Sequence, residues 1–391
     1  MNSDKDIVIT SAFRTPIGSF QGSLKDHKAT ELGTAVVKKC MEHSNLNGSE
    51  VDTVILGQVL QTGCGQNPAR QTAINAGINK DKTATTINQV CGSGLAAVTL
   101  GFNSLKLNDT NIVIAGGQES MTNSPHYLNY RIEKNLSEEK LKDSMLIDGL
   151  IDAYDDYHMG VTAENVAEKY QITRNDQDNF AFNSQRKAIK AINENKFKDE
   201  IVPLNLKNQK IFDTDEYPRS DTNLEKLSNL KTVFKENGTV TAGNASGLND
   251  GAAAVTLMNY KTSIDKGLKP IAKIISWAQS GVDPKLMGTG PIPASKLALK
   301  KAGWNINDLD LVESNEAFAA QSIAVIKQLG LKEDIVNVNG GAIALGHPVG
   351  ASGARILVTL VNEMQKRKSK KGLATLCIGG GMGISMCVES L

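Results

Sequence analysis

Long hydrophobic runs are missing from this chain, neither sign of charge prevails, and cysteine is scarce. The longest stretch without a charged residue, Thr83–Leu105, is interrupted throughout by Thr, Asn, Gln, Ser, Cys and Gly, a composition that crosses a bilayer poorly. Lys and Arg number 43 against 42 Asp and Glu, a net charge of +1, which argues against a nucleic-acid or membrane-surface protein working by bulk charge. The five cysteines (Cys40, Cys64, Cys91, Cys377, Cys387) include no C-x-x-C pair, so a disulfide scaffold and a structural zinc site are both disfavoured. The first residues lack the basic start and apolar stretch of a signal peptide. The expected setting is cytoplasmic, with no membrane and no nucleic acid as partner.

Missing motifs narrow the chemistry further. The five histidines (His27, His43, His126, His158, His347) show no H-E-x-x-H or paired spacing, so no metal is expected. There is no G-x-S-x-G elbow of a serine hydrolase. Neither G-x-x-x-x-G-K-S/T nor G-x-G-x-x-G with its downstream acidic residue occurs, which disfavours nucleotide binding by either route.

What is present is alternation. Short β-branched runs (Ile7–Thr10, Val54–Leu56, Asn111–Ala115, Ala253–Met258, Ile271–Ser276, Leu309–Val312, Val336–Asn339, Leu373–Ile378, Ile384–Val388) alternate with stretches of helical apolar spacing such as Leu32, Val36, Val37, Cys40 and Met41. This predicts α/β layers with buried sheets. Residues 121–245 depart from the pattern, carrying 17 Lys/Arg and 21 Asp/Glu and a helix start at Thr173 with Asp176. They read as a charge-rich, largely helical or irregular insertion. A faint repeat links the halves: Ser93-Gly94 opens a helix leading to Gly116-Gly117, and Ser352-Gly353 opens one leading to Gly379-Gly380.

Four motifs could carry chemistry. Cys91, in Val90-Cys91-Gly92-Ser93-Gly94, falls at a strand-to-helix turn, where the helix N-terminus favours thiolate; a buried apolar cysteine is the other reading. His347 lies in a glycine-rich loop before a helix and suits a general base with a pKa near the ordinary ~6.5, or a structural histidine. Cys377 ends a buried strand before Gly379-Gly380-Gly381, where a thiol could exchange a proton and turn N–H groups could hold an oxyanion; core packing is its alternative. Asn315-Glu316-Ala317-Phe318 follows a strand: Asn315 could polarise a carbonyl, hold a water or cap a helix, and Glu316 could orient a histidine.

Taken together, V-C-G-S-G at 90–94, N-E-A-F at 315–318, G-H-P-x-G-A-S-G at 346–353 and C-x-G-G-G-M-G at 377–383 resemble the thiolases, in order and over essentially the whole chain. Gly243–Ala253 adds a further match, and Tyr157-His158-Met159-Gly160 resembles the short-chain, acetoacetyl-CoA branch. The resemblance implies a five-layered αβαβα body of two similar halves with an inserted loop domain over coenzyme A. The expected division is 1–120 plus 246–270, an insertion at 121–245, and 271–391. It implies reversible Claisen condensation of two acetyl-CoA to acetoacetyl-CoA and CoA through an acetyl-cysteine, with no cofactor beyond coenzyme A as substrate.

By the same resemblance Cys91 is the nucleophile, His347 the base and part of an oxyanion hole, and Cys377 the acid/base. Asn315 holds a water of one oxyanion hole, and the backbone of Cys91 and Gly379 forms another. Arg219, Ser246 and His158 would contact coenzyme A, while Met159, Phe234, Ala242, Leu248 and Phe318 would line its apolar tunnel. Arg219 is equally readable as a solvated loop charge. A homodimer or homotetramer is expected. The rivals are a 3-ketoacyl-CoA thiolase of broader chain length, a β-ketoacyl synthase (which needs a histidine where Cys377 stands) and a non-catalytic acyl-CoA binder, which would need none of the four reactive residues.

Overall fold

A computed structural model describes residues 3–391 apart from 133, 134, 136 and 208. Ten strands form one mixed sheet: β1 (Ile7–Arg14), β2 (Gly18–Ser19), β3 (Thr53–Gly57), β4 (Thr83–Ile87), β5 (Ile112–Ser120), β6 (Asn249–Asn259), β7 (Ala272–Gly281), β8 (Leu311–Ser314), β9 (Lys371–Ile378) and β10 (Met382–Ser390). Their order is β8-β9-β10-β7-β1-β6-β5-β3-β4, with β2 beside β6. The principal helices are α1 (Ala29–His43), α2 (Pro68–Ala76), α3 (Ser93–Lys106), α4 (Met159–Lys169), α5 (Arg174–Asn193), α6 (Pro291–Ala302), α7 (Ala319–Leu329) and α8 (Ser352–Arg367).

Side-chain alternation builds the layers, because successive strand residues face opposite ways. Ile7, Ile9, Ile55, Val113, Ala115, Val255 and Leu257 face inward onto Leu95 and Val98 of α3 and Ile356, Leu357 and Leu360 of α8. Their neighbours Val8, Val54, Leu56, Ile112, Ile114 and Met258 face outward onto α1 and α2. In the second half Leu376, Ile378, Ile384, Met386 and Val388 share the inner core, while Val312, Leu373 and Cys387 pack under α6 and α7. The result is five layers: helix, sheet, the α3–α8 pair, sheet, helix. The two sheet halves meet where β1 pairs with β7 at Val8–Lys273 and Ile9–Ala272. Each half contributes one central helix followed by a buried strand, α3 into β5 and α8 into β9.

The segment 121–245 adds no strand to this sheet among the described residues; its strands form two separate two-stranded ribbons. Its helix α5 starts at the Thr173–Asp176 capping box. A fully buried guanidinium roots the segment on the body. Arg14 Nε lies 2.6 Å from Glu200 and Nη1 lies 2.7 Å from Asp215, an arrangement in which loss of one partner strands a buried charge.

Two strand expectations need correction. Val336–Asn339 is not a strand: only an isolated bridge, Val312–Val336, forms there. Asn337 is left-handed (φ +43°), and its amide takes over the ladder's role, accepting from Ser314 N–H and donating to Ser314 C=O at 2.8 Å each. Conversely Thr83–Ile87, which alternation did not mark, is the edge strand β4, partly exposed and paired on one side only.

The central helices cross on small residues. A Cβ added at Gly94 would lie 2.7 Å from the Ala354 backbone nitrogen and 3.1 Å from the Ala351 carbonyl oxygen. Gly94→Ala should therefore lower stability by about 1–3 kcal/mol despite its better helix propensity. Thermal unfolding checks this, and an unchanged or raised midpoint would refute the close crossing.

Candidate active site

Cys91 sits two residues before α3, on an elbow held by its neighbours. Val90 has φ +46°, a left-handed backbone that a β-branched side chain adopts at a cost of roughly 1–3 kcal/mol. Two side chains enforce it. Asn88 Oδ1 accepts the Val90 N–H at 2.9 Å, and Ser93 Oγ accepts from Gln89 N–H at 2.8 Å while donating to Val90 C=O at 2.7 Å. The sulfur meets the N–H groups of Gly379 and of Cys91 itself, yet burial prevails and pushes the thiol up to about 11. The expectation of a resting thiolate is thereby corrected: desolvation outweighs the two N–H donors.

His347 is buried, and its tautomer is fixed from below. Its Nδ1 lies 2.6 Å from Ser352 Oγ, and that hydroxyl donates to the Pro348 carbonyl at 2.9 Å. Ser352 oxygen therefore accepts from Nδ1–H, which leaves Nε2 with its lone pair. Asn315 Nδ2 stands 3.5 Å from Nε2. Burial, helped by Arg355, lowers the imidazole to about 4, well under the value expected from sequence, so the ring is neutral. Ser352 is a site residue that the motif reading passed over; its only signal was a hydroxyl at the start of a helix, five residues beyond the histidine.

Asn315 follows β8 and is not the cap of α7, which begins at Ala319. Its buried Oδ1 has no protein partner among the described residues. Glu316 does not orient His347. It accepts instead from Ser184 Oγ (2.6 Å), Asn337 Nδ2 (2.9 Å) and Ile343 N–H (3.2 Å), bracing the insertion against the loop that precedes the histidine. Cys377 is fully buried in an apolar cluster with Met159, Ala245, Met287, Ala317 and Phe318. Burial raises its thiol above the ordinary range, and the adjacent Cys91 raises it further.

A narrow cavity of about 80 Å³ is lined by Cys91, His347 and Gly379 together with His158, Met159, Phe234, Ser246, Leu248 and Phe318. His158 caps α4 through Nδ1, which accepts Gly160 N–H at 3.0 Å, so Nε2 carries its proton. Its ring stacks on Phe234 at 4.5 Å, and Phe234 meets Phe318 edge-on at 6.3 Å. Ser246 N–H is held by the Ala317 carbonyl at 2.9 Å. Arg219 and Ala242 lie elsewhere, in a neighbouring hollow of about 250 Å³ with Gln185, Tyr217 and Lys226. Ala242 lines this outer hollow from an exposed position between the buried Thr241 and Asn244. The Tyr217 ring packs against Gly247 between the two spaces, with the Arg219 guanidinium 5.5 Å above it. A larger hollow of about 540 Å³ near Phe13 and Phe197 is lined by none of Cys91, His347, Asn315 and Cys377.

A neutral thiol and a neutral imidazole with a free lone pair, sharing an apolar cavity backed by a second thiol, suit transfer of an acyl group through sulfur. The comparisons agree with that class. The chain belongs to the thiolase family: residues 7–261 match the thiolase N-terminal domain and residues 268–390 the thiolase C-terminal domain. It is 55% identical over 392 residues to an acetyl-CoA acetyltransferase of Rhizobium meliloti, covering 100% of both chains. It is 54% identical to one of Pseudomonas aeruginosa, covering 98% of both. The crystal structure of the Bacillus anthracis acetyl-CoA acetyltransferase superposes with a TM-score of 0.96 at 43% identity over 99% of each chain.

The resting protonation state is testable. With the Cys91 thiol pushed up to about 11, the thiolate fraction of the free protein rises with pH throughout the neutral range. Iodoacetamide alkylation of Cys91, followed by mass spectrometry, should keep accelerating above pH ~8.5, the ordinary thiol value. A rate already level at pH ~7 would mean a stable resting thiolate.

Proposed function

We propose that the protein is an acetyl-CoA C-acetyltransferase, which interconverts two acetyl-CoA with acetoacetyl-CoA and CoA through an acetyl group on Cys91. The observation that carries this reading is the convergence of Cys91, His347 and Gly379 on one largely apolar cavity, with Cys377 buried next to Cys91. The names of the full-length relatives support it.

In the cleavage direction, His347 Nε2 takes the Cys91 proton as the sulfur attacks the 3-keto carbon of acetoacetyl-CoA. Neutral partners lose nothing by being buried until this moment, when the ion pair forms together with the bond. The new alkoxide is stabilised by the N–H groups of Cys91 and Gly379. Collapse breaks the carbon–carbon bond, leaving acetyl-Cys91 and the enolate of acetyl-CoA. The enolate oxygen is met by His347 and by a water held on Asn315, and its carbon takes the proton of Cys377. A thiol whose pKa is raised keeps that proton until a carbanion demands it. The imidazolium proton then returns to Cys377. An incoming CoA thiol gives its proton to His347 and its sulfur takes the acetyl group, and the departing Cys91 sulfur recovers the proton. Each oxyanion donor of this kind contributes on the order of 2.7–4 kcal/mol to the barrier.

Coenzyme A would run from the outer hollow, where Arg219 meets the phosphorylated adenosine end, past Tyr217 and Ser246 to the His158–Phe234 stack. There the His158 Nε2–H can donate to a pantetheine carbonyl. The proposed setting is cytoplasmic. The proposed assembly is a homodimer or homotetramer, supported by the uncharged edge strand β4, which is paired on one side only.

Cys91→Ser should abolish the acetyl mass increment left by acetyl-CoA, whereas Cys377→Ala should still become acetylated but fail to condense. Equal loss of both steps in Cys377→Ala would refute the separate acid/base role. Turnover should favour acetoacetyl-CoA over longer 3-ketoacyl-CoA esters; preference for the long esters would make the protein a broader 3-ketoacyl-CoA thiolase.

A further inference from the structure

The loop that carries His347 belongs to the second half of the chain, but it is held down by the first. Strands β5 and β6 are antiparallel neighbours, with Glu119 opposite Gly251 and Ser120 opposite Asp250. Two side chains from their adjoining ends reach the same loop. Asn249 Oδ1 accepts the His347 N–H at 2.8 Å, and its Nδ2 donates to the Gly18 carbonyl at 3.0 Å. Glu119 Oε2 accepts the Gly350 N–H at 3.0 Å. The span from His347 to Gly350 is therefore pinned at both ends.

The glycines that frame the histidine exist for these contacts. A Cβ at Gly346 would lie 2.5 Å from Asn249 Cγ, and one at Gly350 would lie 2.7 Å from Glu119 Oε2. Glu119 also reaches the nucleophile's side. It accepts Val59 N–H at 2.9 Å and Leu60 N–H at 3.3 Å, and Val59 and Leu60 pack with Val349 and Cys91 in one apolar cluster.

We propose that Glu119, seconded by Asn249, is a positioning residue of the reaction: one buried carboxylate sets the His347 loop at its working distance from Cys91. The proposal rests on the roles given to Cys91 and His347 above. Three N–H donors converge on this carboxylate, and only its ionised form offers acceptors to all of them without aiming an O–H at one. Burial, with Asp250 nearby, pushes the group up to about 7. The titratable groups facing it are Asp250 at the start of β6 and the neutral Cys64 thiol beyond β3. The grip accordingly weakens as pH falls through about 7.

The test is the single-turnover rate of Cys91 acetylation by acetyl-CoA between about pH 6 and 8, with kcat and KM, in wild type and Glu119→Gln. Wild type should slow on the acid side with a midpoint near 7. Glu119→Gln should be about tenfold to a hundredfold slower at pH 8, flat across that range, and unchanged in KM for acetyl-CoA. A variant that keeps the wild-type rate and acid limb overturns the proposal, as does one that raises KM with kcat intact. Should Glu119→Gln not fold, Asn249→Ala carries the same expectation of slowed acetylation at constant KM, and full-rate acetylation there overturns it. Failure of wild type itself to become acetylated would instead sink the assignment of Cys91.

Discussion

The Cys91 thiol, the Cys377 thiol and the His347 imidazole share surroundings in which bulk water does little to stabilise charge. Each is displaced toward its neutral form, and burial is the largest cause in all three. Everything else at the site follows from that constraint. A neutral imidazole needs a defined tautomer, which the Ser352 hydroxyl and the Pro348 carbonyl supply. A neutral thiol needs charge stabilisation only when it reacts, and the N–H groups at Cys91 and Gly379 are already in place for that. Fixed donors do not have to reorganise as charge develops, as solvent would.

The two halves place their reactive groups at matching ends. Cys91 precedes the first turn of α3 and His347 precedes α8, and these helices lie side by side in the central layer. Small residues at the crossing, Gly94 against Ala354 among them, let the backbones approach. The nucleophile from one half thereby meets the base from the other at the surface of a common core. The insertion then roofs the meeting point with Met159 and Phe234.

Much of this was legible in the sequence, for identifiable reasons. Alternation in runs such as Ile112–Ala115 is forced by two buried faces and marks the strand in any context. Thr83–Ile87 escaped because an edge strand with one face turned outward has no need of apolar residues. Val336–Asn339 misled because its apolar residues are buried without a ladder, the Asn337 amide having replaced one. The reactive residues were recognisable from motif and spacing, but their ionisation was not. The helix terminus beside Cys91 is a local feature visible in sequence, whereas desolvation is a property of the whole packed interior. Glu316 was misplaced for a similar reason: its neighbours in space, Ser184 and Ile343, lie 132 and 27 residues away.

The Arg14 cluster has an implication for how such proteins diversify. The insertion is fastened at its base by Glu200 and Asp215 gripping one buried guanidinium, whereas the elbow and the imidazole loop are shaped by the sheet and central helices. A lineage that preserves this fastening could rework the roof residues and so admit different acyl groups, leaving the bond-making apparatus untouched. Substrate range and reactivity would then be inherited on separate stretches of one polypeptide.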